Sequence, residues 1–188
     1  MNVIKKEFLE AKTILESFLA EDSNFEKIES AGRIMVDALK SGKKLISCGN
    51  GGSMSDAMHF AEELSGQFRD RRKALAAISI SDPSHLTCAG NDFGFEHIFS
   101  RFIEAMGFQG DVLLAISTSG NSANVVNAAL TAKEKGMKVV ALTGKQGGKL
   151  AGIADVEVRA PQSTYSDRTQ EIHIKIIHSL IHYIELNI

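Results

Sequence analysis

The sequence is poor in cysteine. Its 188 residues include only Cys48 and Cys88, too few for a framework of disulfide bonds. Cys48 lies in an apolar run, where a free thiol behaves as a small buried hydrophobic group. Because free thiols persist in a reducing compartment, this cysteine content predicts a cytoplasmic protein.

The sequence also lacks a large excess of either charge. Its formal net charge is -2, whereas nucleic-acid binding calls for a clustered basic surface. We therefore expect no nucleic-acid partner. A small anionic ligand is not excluded, because a few well-placed hydrogen-bond donors are enough to bind one.

Long apolar segments are absent as well. No run approaches the roughly 18 apolar residues that a membrane-spanning helix needs, so we expect no membrane partner. Residues 1–19 interrupt their apolar side chains with lysines and glutamates, and this pattern does not predict a secretory signal peptide.

The sequence does contain helical periodicity in its first 40 residues, and the pattern of apolar residues then changes. Apolar spacing predicts two helices, over residues 3–19 and 25–40. From residue 44 onward, short apolar strands alternate with helices. The predicted strands are 44–48, 74–80, 111–117, 138–142 and 156–159, and the predicted helices are 54–66, 95–107, 122–135 and 168–186.

This alternation predicts a parallel sheet covered by helices on both faces. The expected fold class is α/β, a three-layer α/β/α sandwich with a five-stranded parallel, flavodoxin-like sheet and two leading N-terminal helices. We expect residues 1–188 to form a single domain. Within it, residues 1–40 would serve packing and oligomerisation, and residues 44–188 would form the α/β core with its closing C-terminal helix.

Ligands of such folds bind beyond the carboxyl ends of the strands, which points to loops 49–53, 117–122 and 143–148. The loop over residues 117–122 reads STSGNS, leaves a strand and opens a helix. Its hydroxyls face a helix N-terminus, where free N–H groups and the helix dipole favour a phosphate. The alternative is an ordinary helix cap formed by Ser119 or Ser122.

The loop over residues 49–53 reads GNGGS, and its glycines would let the backbone approach a ligand closely. It is not a dinucleotide fingerprint, because Met54 stands where that motif needs glycine, and it is not a Walker loop. The alternative is a tight turn between strand and helix.

His59 and Glu63 lie four residues apart on a predicted helix and share one face. That spacing suits a shared metal ion, and it equally suits an exposed hydrogen-bonded pair. The final helix carries His173, His178 and His182. His178 has apolar neighbours, so it is either a buried core residue or a ligand.

Several segments resemble one family, the SIS (sugar isomerase) domain proteins, and within it the phosphoheptose isomerases. The matching segments are CGNGGSMSDAMHFAEEL, AGNDFGFEHIFSRF, GDVLLAISTSGNSANV, KGMKVVALTGKQGG and DRTQEIHIKIIHSLI. They span most of the chain from residue 44 onward, and their combination in this order is specific.

The resemblance implies a set of site residues. Substrate contacts would come from Asn50, Gly51, Gly52, Glu63, Asn91, Asp92, Ser117, Thr118, Ser119, Ser122 and Gln170. One zinc ion per subunit would be held by His59, Glu63, Gln170 and His178. The family pattern departs at Met54-Ser55, where some relatives carry histidine.

The implied reaction converts sedoheptulose 7-phosphate into D-glycero-D-manno-heptose 7-phosphate, the first step of ADP-heptose synthesis for the lipopolysaccharide core. It would proceed through an enediol, with Glu63 as the catalytic base and His178 as the catalytic acid. Zinc would polarise an oxygen of the substrate or organise the site.

The resemblance also implies a homotetramer. Gln170 and His178 would lie about 12 Å apart along a continuous helix, so we expect active sites shared between subunits. Three rival readings remain: a relative that binds the replication initiator without isomerase activity, a sugar-phosphate-sensing regulator, and an isomerase for a sugar of another length. The regulator usually carries a DNA-binding domain, for which 188 residues leave little room.

Overall fold

A computed structural model describes residues 2–188. Its helices are α1 (Val3–Leu19), α2 (Asp22–Lys40), α3 (Gly52–Ser65), α4 (Pro83–Phe93), α5 (Ile98–Met106), α6 (Ala123–Glu134), α7 (Gly148–Ala151) and α8 (Ser166–Asn187). Its strands are β1 (Leu45–Gly49), β2 (Ala77–Ser79), β3 (Val112–Ser117), β4 (Lys138–Thr143) and β5 (Val156–Arg159).

The strands form one five-stranded sheet in the order β2-β1-β3-β4-β5, and every neighbouring pair is parallel. This is the flavodoxin-like order, whose strand sequence reverses next to β1. Gly49 pairs with Ile116, and Ser117 pairs with Thr143. The carboxyl ends of β1, β3 and β4 are therefore level, and the loops that follow them are neighbours.

Each face of the sheet is covered by helices because successive strand residues point to opposite sides. Leu45 of β1 packs with α2, α3 and α8, where Met35, Phe60 and Ile177 are fully buried. The next residue, Ile46, packs on the other face with α4, α5 and α6. The predicted fold class, a parallel five-stranded sheet between helices with two leading helices, is confirmed.

Two predicted elements differ from the structure. The strand predicted over residues 74–80 is observed only from Ala77 to Ser79. The helix predicted over residues 95–107 begins with a separate 3₁₀ turn, Phe95–His97. Helices α4 and α7 were not predicted. Among residues 2–188, no helix has the length and apolar character needed to cross a bilayer.

Candidate active site

The loop between β3 and α6 presents open hydrogen-bond donors. Ser122 is the N-cap residue of α6, yet its side chain does not cap the helix. Its hydroxyl instead pairs with that of Ser117 at 3.0 Å, and the Ser119 hydroxyl accepts the N–H of Asn121 at 3.1 Å. Within residues 2–188, no protein acceptor takes the N–H of Ala123. The helix N-terminus thus keeps donors available to a ligand.

The same loop packs backbone to backbone against the loop after β4. Gly120 has φ +65°, and a Cβ at this position would collide with the carbonyl oxygen of Gly147. The carbonyl of Gly120 accepts the N–H of Leu150 at 3.0 Å. Gly120 is therefore required both for its backbone conformation and for the close approach of the two loops.

The loop after β1 (residues 49–53, the glycine loop) is fixed beside the loop after β3 (residues 117–122, the serine loop) by a pair of amide side chains. The Asn50 amide donates to Asn124 Oδ1 and accepts from Asn124 Nδ2, both at 2.9 Å. Asn124 is the second residue of α6 and is only 2% exposed. The predicted substrate residues of the two loops are therefore held side by side.

Helices α3 and α8 run parallel, and their contacts bring further predicted residues together. At the start of both helices, the Gln170 side chain lies against Gly52, where a Cβ would fall 2.7 Å from Gln170 Nε2. Farther along both helices, His59 Nε2 lies 3.0 Å from His178 Nε2. Gly52 therefore leaves room for Gln170, and the histidines meet about two turns away.

Glu63 completes the cluster at the histidines. Its Oε1 lies 3.4 Å from His59 Nε2, and its side chain is 18% exposed. On the other edge of the ring, Glu62 Oε1 lies 3.6 Å from His59 Nδ1. Ligand atoms of His59, Glu62 and Glu63 all lie within 4.8 Å of one another, so these residues could hold a metal ion.

The environment of this cluster changes two proton affinities. Burial, and then the neighbouring His59, lower the pKa of His178, and Phe68 stacks on its ring at 5.8 Å. Burial raises the pKa of Asp56 to about 6, although His59 opposes the shift. The Oδ2 atom of Asp56 is buried and has no hydrogen-bond partner among the described residues.

Two predicted substrate residues stand apart from these contacts. Asn91 and Asp92 lie near the end of α4, and both are exposed. Asn91 Nδ2 donates to Asp92 Oδ1 at 2.7 Å, and Cys88 Sγ lies 3.6 Å from Asp92 Oδ2. Among residues 2–188, no hydrogen bond joins either residue to the other predicted site residues.

Three residues of the site, Asp56, Glu62 and Asn124, were not predicted from the sequence. The two acidic residues had a readable signal, because they lie three residues before and after His59 on one helix. Asn124 had no local signal. Its partner Asn50 is 74 positions away, and only the pairing of β1 with β3 brings the two together.

A comparison with known protein families identifies the class of domain to which this chain belongs. A family model described as "SIS domain" matches residues 8–144. This span reaches from α1 to the end of β4 and includes the glycine loop, the serine loop, His59 and Glu63. The five-stranded parallel sheet with helices on both faces is consistent with the fold of that domain.

Individual relatives identify the group within this family. The phosphoheptose isomerase of Escherichia fergusonii is 58% identical over 184 residues, covering 98% of this chain and 96% of that protein. That of Aeromonas hydrophila is 56% identical over 183 residues, covering 97% and 95%. The solved phosphoheptose isomerase of Neisseria gonorrhoeae superposes with a TM-score of 0.90 at 41% identity, covering 97% of both chains. The chain therefore belongs to the SIS domain family, in its group of phosphoheptose isomerases.

Proposed function

We propose that this protein is an isomerase that converts sedoheptulose 7-phosphate into D-glycero-D-manno-heptose 7-phosphate. The observation that carries the proposal is the convergence of Glu63 and His178 on one edge of His59, at 3.4 and 3.0 Å. Moving a hydrogen between adjacent carbons through an enediol needs a base and an acid side by side. The product would enter ADP-heptose synthesis for the lipopolysaccharide core.

Glu63 is the proposed base. Its carboxylate takes the proton from the carbon next to the ketone and returns it to the neighbouring carbon. A half-buried carboxylate beside two imidazoles is suited to this exchange, because little water competes for the proton. The Arg72 guanidinium donates to the backbone carbonyl of Glu63 at 2.7 Å, which holds this end of α3 in place.

His178 is the proposed acid. Burial, and then His59, lower the pKa of His178, which favours the neutral ring with one protonated and one free nitrogen. Its Nε2 faces that of His59 at 3.0 Å. With both of these nitrogens turned to a bound metal ion, the ring proton of His178 would lie on Nδ1. His178 can therefore pass a proton to the oxygen that becomes a hydroxyl.

The phosphate of the substrate would bind at the start of α6. Hydroxyls of Ser117, Thr118, Ser119 and Ser122 and the open N–H of Ala123 supply neutral donors at the positive end of a helix dipole. Anchoring the far end of the sugar spends binding energy on orienting the reacting end. Gly51 and Gly52 supply backbone beside it, and Asn91 and Asp92 are proposed to contact the sugar.

The donor set at the histidines fits a zinc ion. Tetrahedral zinc with bonds of about 2.0–2.1 Å places its ligand atoms about 3.3 Å apart. The spacings from His59 Nε2 to His178 Nε2 and Glu63 Oε1 are 3.0 and 3.4 Å. We propose His59, Glu63, Gln170 and His178 as the ligands, with one carboxylate oxygen of Glu63 on the metal and the other acting as the base. A bound zinc ion would supply Lewis-acid polarisation of the substrate's carbonyl oxygen.

The position of Gln170 supports a homotetramer with shared sites. Helix α8 is continuous from Ser166 to Asn187, and Gln170 lies at Gly52, whereas His178 lies at His59. A single ion is reached more easily if a neighbouring subunit contributes one of the two. Exposed Val3, Ile4 and Phe8 on α1 offer an apolar surface for assembly. Two free thiols fit the cytoplasm as the proposed compartment.

The proposal is tested by incubating the purified protein with sedoheptulose 7-phosphate and following the aldose 7-phosphate by NMR. Glu63→Gln and His178→Ala should each lower kcat by about 10²–10⁴-fold. Glu134→Gln, an exposed carboxylate change on α6, should leave it unchanged. Each variant is checked for folding and for oligomeric state.

Absence of turnover in the wild type, with and without added zinc, would refute the proposed activity. Faster turnover of a pentose or hexose phosphate would replace the heptose with a sugar of another length. Wild-type rates in Glu63→Gln would remove that carboxylate from the chemistry while leaving the isomerase activity in place.

A further inference from the structure

The amide pair between Asn50 and Asn124 joins the two halves of the proposed site. Asn50 follows β1 directly and begins the loop that leads into α3, the helix of His59 and Glu63. Asn124 lies in the first turn of α6, the helix whose N-terminus would bind the phosphate. The phosphate end and the reacting end of the substrate are thus carried by different elements.

The pair is a closed ring of two hydrogen bonds, each 2.9 Å long. Its orientation is fixed by a third contact, because Asn124 Oδ1 also accepts the backbone N–H of Val125 at 2.9 Å. With that oxygen assigned, the Nδ2 group of Asn124 must donate to Asn50 Oδ1. Both partners must therefore be amides, since a carboxylate has no N–H to donate.

One member of the pair is shielded from water. Asn124 is 2% exposed, so the loss of Asn50 leaves buried polar atoms of Asn124 unpaired, which is costly. Two hydrogen bonds act at one point and resist both sliding and rotation of the loop. The other side-chain contact at the start of α3 is that of Gln170 with Gly52, and it comes from α8.

We propose that Asn124 is a positioning residue. Through its double hydrogen bond to Asn50, it holds the glycine loop, and with it α3, at a fixed distance from the phosphate-binding end of α6. This inference rests on the proposed function, because the distance matters only for a substrate that uses both ends. A misplacement of about 1 Å at a reacting centre can lower a rate by about 10²-fold.

The test compares Asn124→Ala and Asn50→Ala with Asn127→Ala. Asn127 is a matched control because it lies one turn farther along α6 and makes a single hydrogen bond, to the carbonyl of Glu96 at 2.9 Å. We expect kcat for sedoheptulose 7-phosphate to fall at least about tenfold in both pair variants. The control should keep the wild-type kcat.

Inorganic phosphate serves as the probe of the α6 end alone. Its dissociation constant, measured by calorimetry, should be the same in Asn124→Ala and the wild type, because the serine loop keeps its own contacts. A general loss of structure would weaken phosphate binding together with kcat. The double variant should lose no more activity than Asn50→Ala alone, because Asn124→Ala removes only a contact that Asn50→Ala has already removed.

Three outcomes would overturn the inference: a wild-type kcat in Asn124→Ala, a parallel loss of phosphate affinity, or additive losses in the double variant. If Asn124→Ala does not fold, Asn124→Ser keeps a small neutral polar side chain that is too short for the double hydrogen bond, and the same expectations apply. Absence of turnover in the wild type would refute the proposed function itself. Turnover in the wild type with unaffected pair variants would refute only the positioning role.

Discussion

Protonation of one buried histidine should make the folded protein sensitive to mild acid. His173 lies on α8, is fully buried and has its Nε2 atom 2.9 Å from the carbonyl oxygen of Thr143. Its Nδ1 atom is buried and has no partner among the described residues. Burial lowers the pKa of His173 to about 4, although the contact with Thr143 partly opposes this shift.

Acid lowers the unfolding free energy because the unfolded chain binds the His173 proton more tightly than the folded chain does. The ordinary pKa is 6.5, so between pH 6.5 and about 4 the unfolded chain is protonated at His173 while the folded chain is not. The contribution of His173 to the unfolding free energy is fully present above pH 6.5 and is lost as the pH falls. Between pH 7.5 and pH 5, this one group should cost about 2 kcal/mol of unfolding free energy.

Urea denaturation at pH 7.5 and pH 5, at one fixed protein concentration, measures this change. His173→Gln keeps a donor for the Thr143 carbonyl but does not titrate, so its loss of stability should be smaller than the wild-type loss by about 2 kcal/mol. His97→Gln is the control, because His97 is exposed. Equal pH dependence in the wild type and His173→Gln would refute the reasoning.

Three further predictions concern other contacts. Arg72→Ala should lower stability by about 3–5 kcal/mol, because the Glu185 carboxylate, at 5% side-chain exposure, loses its ion-pair partner. The measurement is the urea midpoint, and a shift no larger than that of a surface variant would contradict this prediction. Gly120→Ala should lower the melting temperature, since φ is +65° and the neighbouring loop leaves no room; an unchanged melting curve would show that the loops can separate freely. Burial raises the pKa of Cys48 to about 12, so a thiol reagent at pH 8 should label exposed Cys88 alone until denaturant is added, and rapid native labelling of Cys48 would contradict its burial.

The sequence predicted most strands because buried parallel strands are continuous apolar runs. The predictions for β1, β3, β4 and β5 fall within a residue of the observed bounds. The edge strand β2 is shorter than its apolar run. The carbonyl of Ala76 still accepts the N–H of Leu45 at 2.8 Å, but one residue earlier Leu75 N donates to the carbonyl of Leu64, at the end of α3, at 3.0 Å. Apolar composition does not report which partner a backbone finds.

Helix α4 was missed although its start is readable. Asp82 caps it by accepting the N–H of His85 at 2.8 Å, and Pro83 occupies the first turn. An Asp-Pro pair at a helix start is a known signal, but serine, proline and glycine in this stretch also suggest a loop. Asn91 and Asp92 lie on that helix, so their secondary structure could not be predicted without it.

The site itself divides into a part that local sequence can predict and a part that it cannot. His59 and Glu63 share a helix face, so their proximity follows from helix geometry. His178 reaches them only because α8 packs parallel to α3, and Asn124 reaches Asn50 only because β1 pairs with β3. Residues that must touch a ligand tend to stand in recognisable motifs. Residues that hold those motifs at the right distance act through contacts between distant parts of the chain. Their role can be recognised only when the structure shows both partners of such a contact.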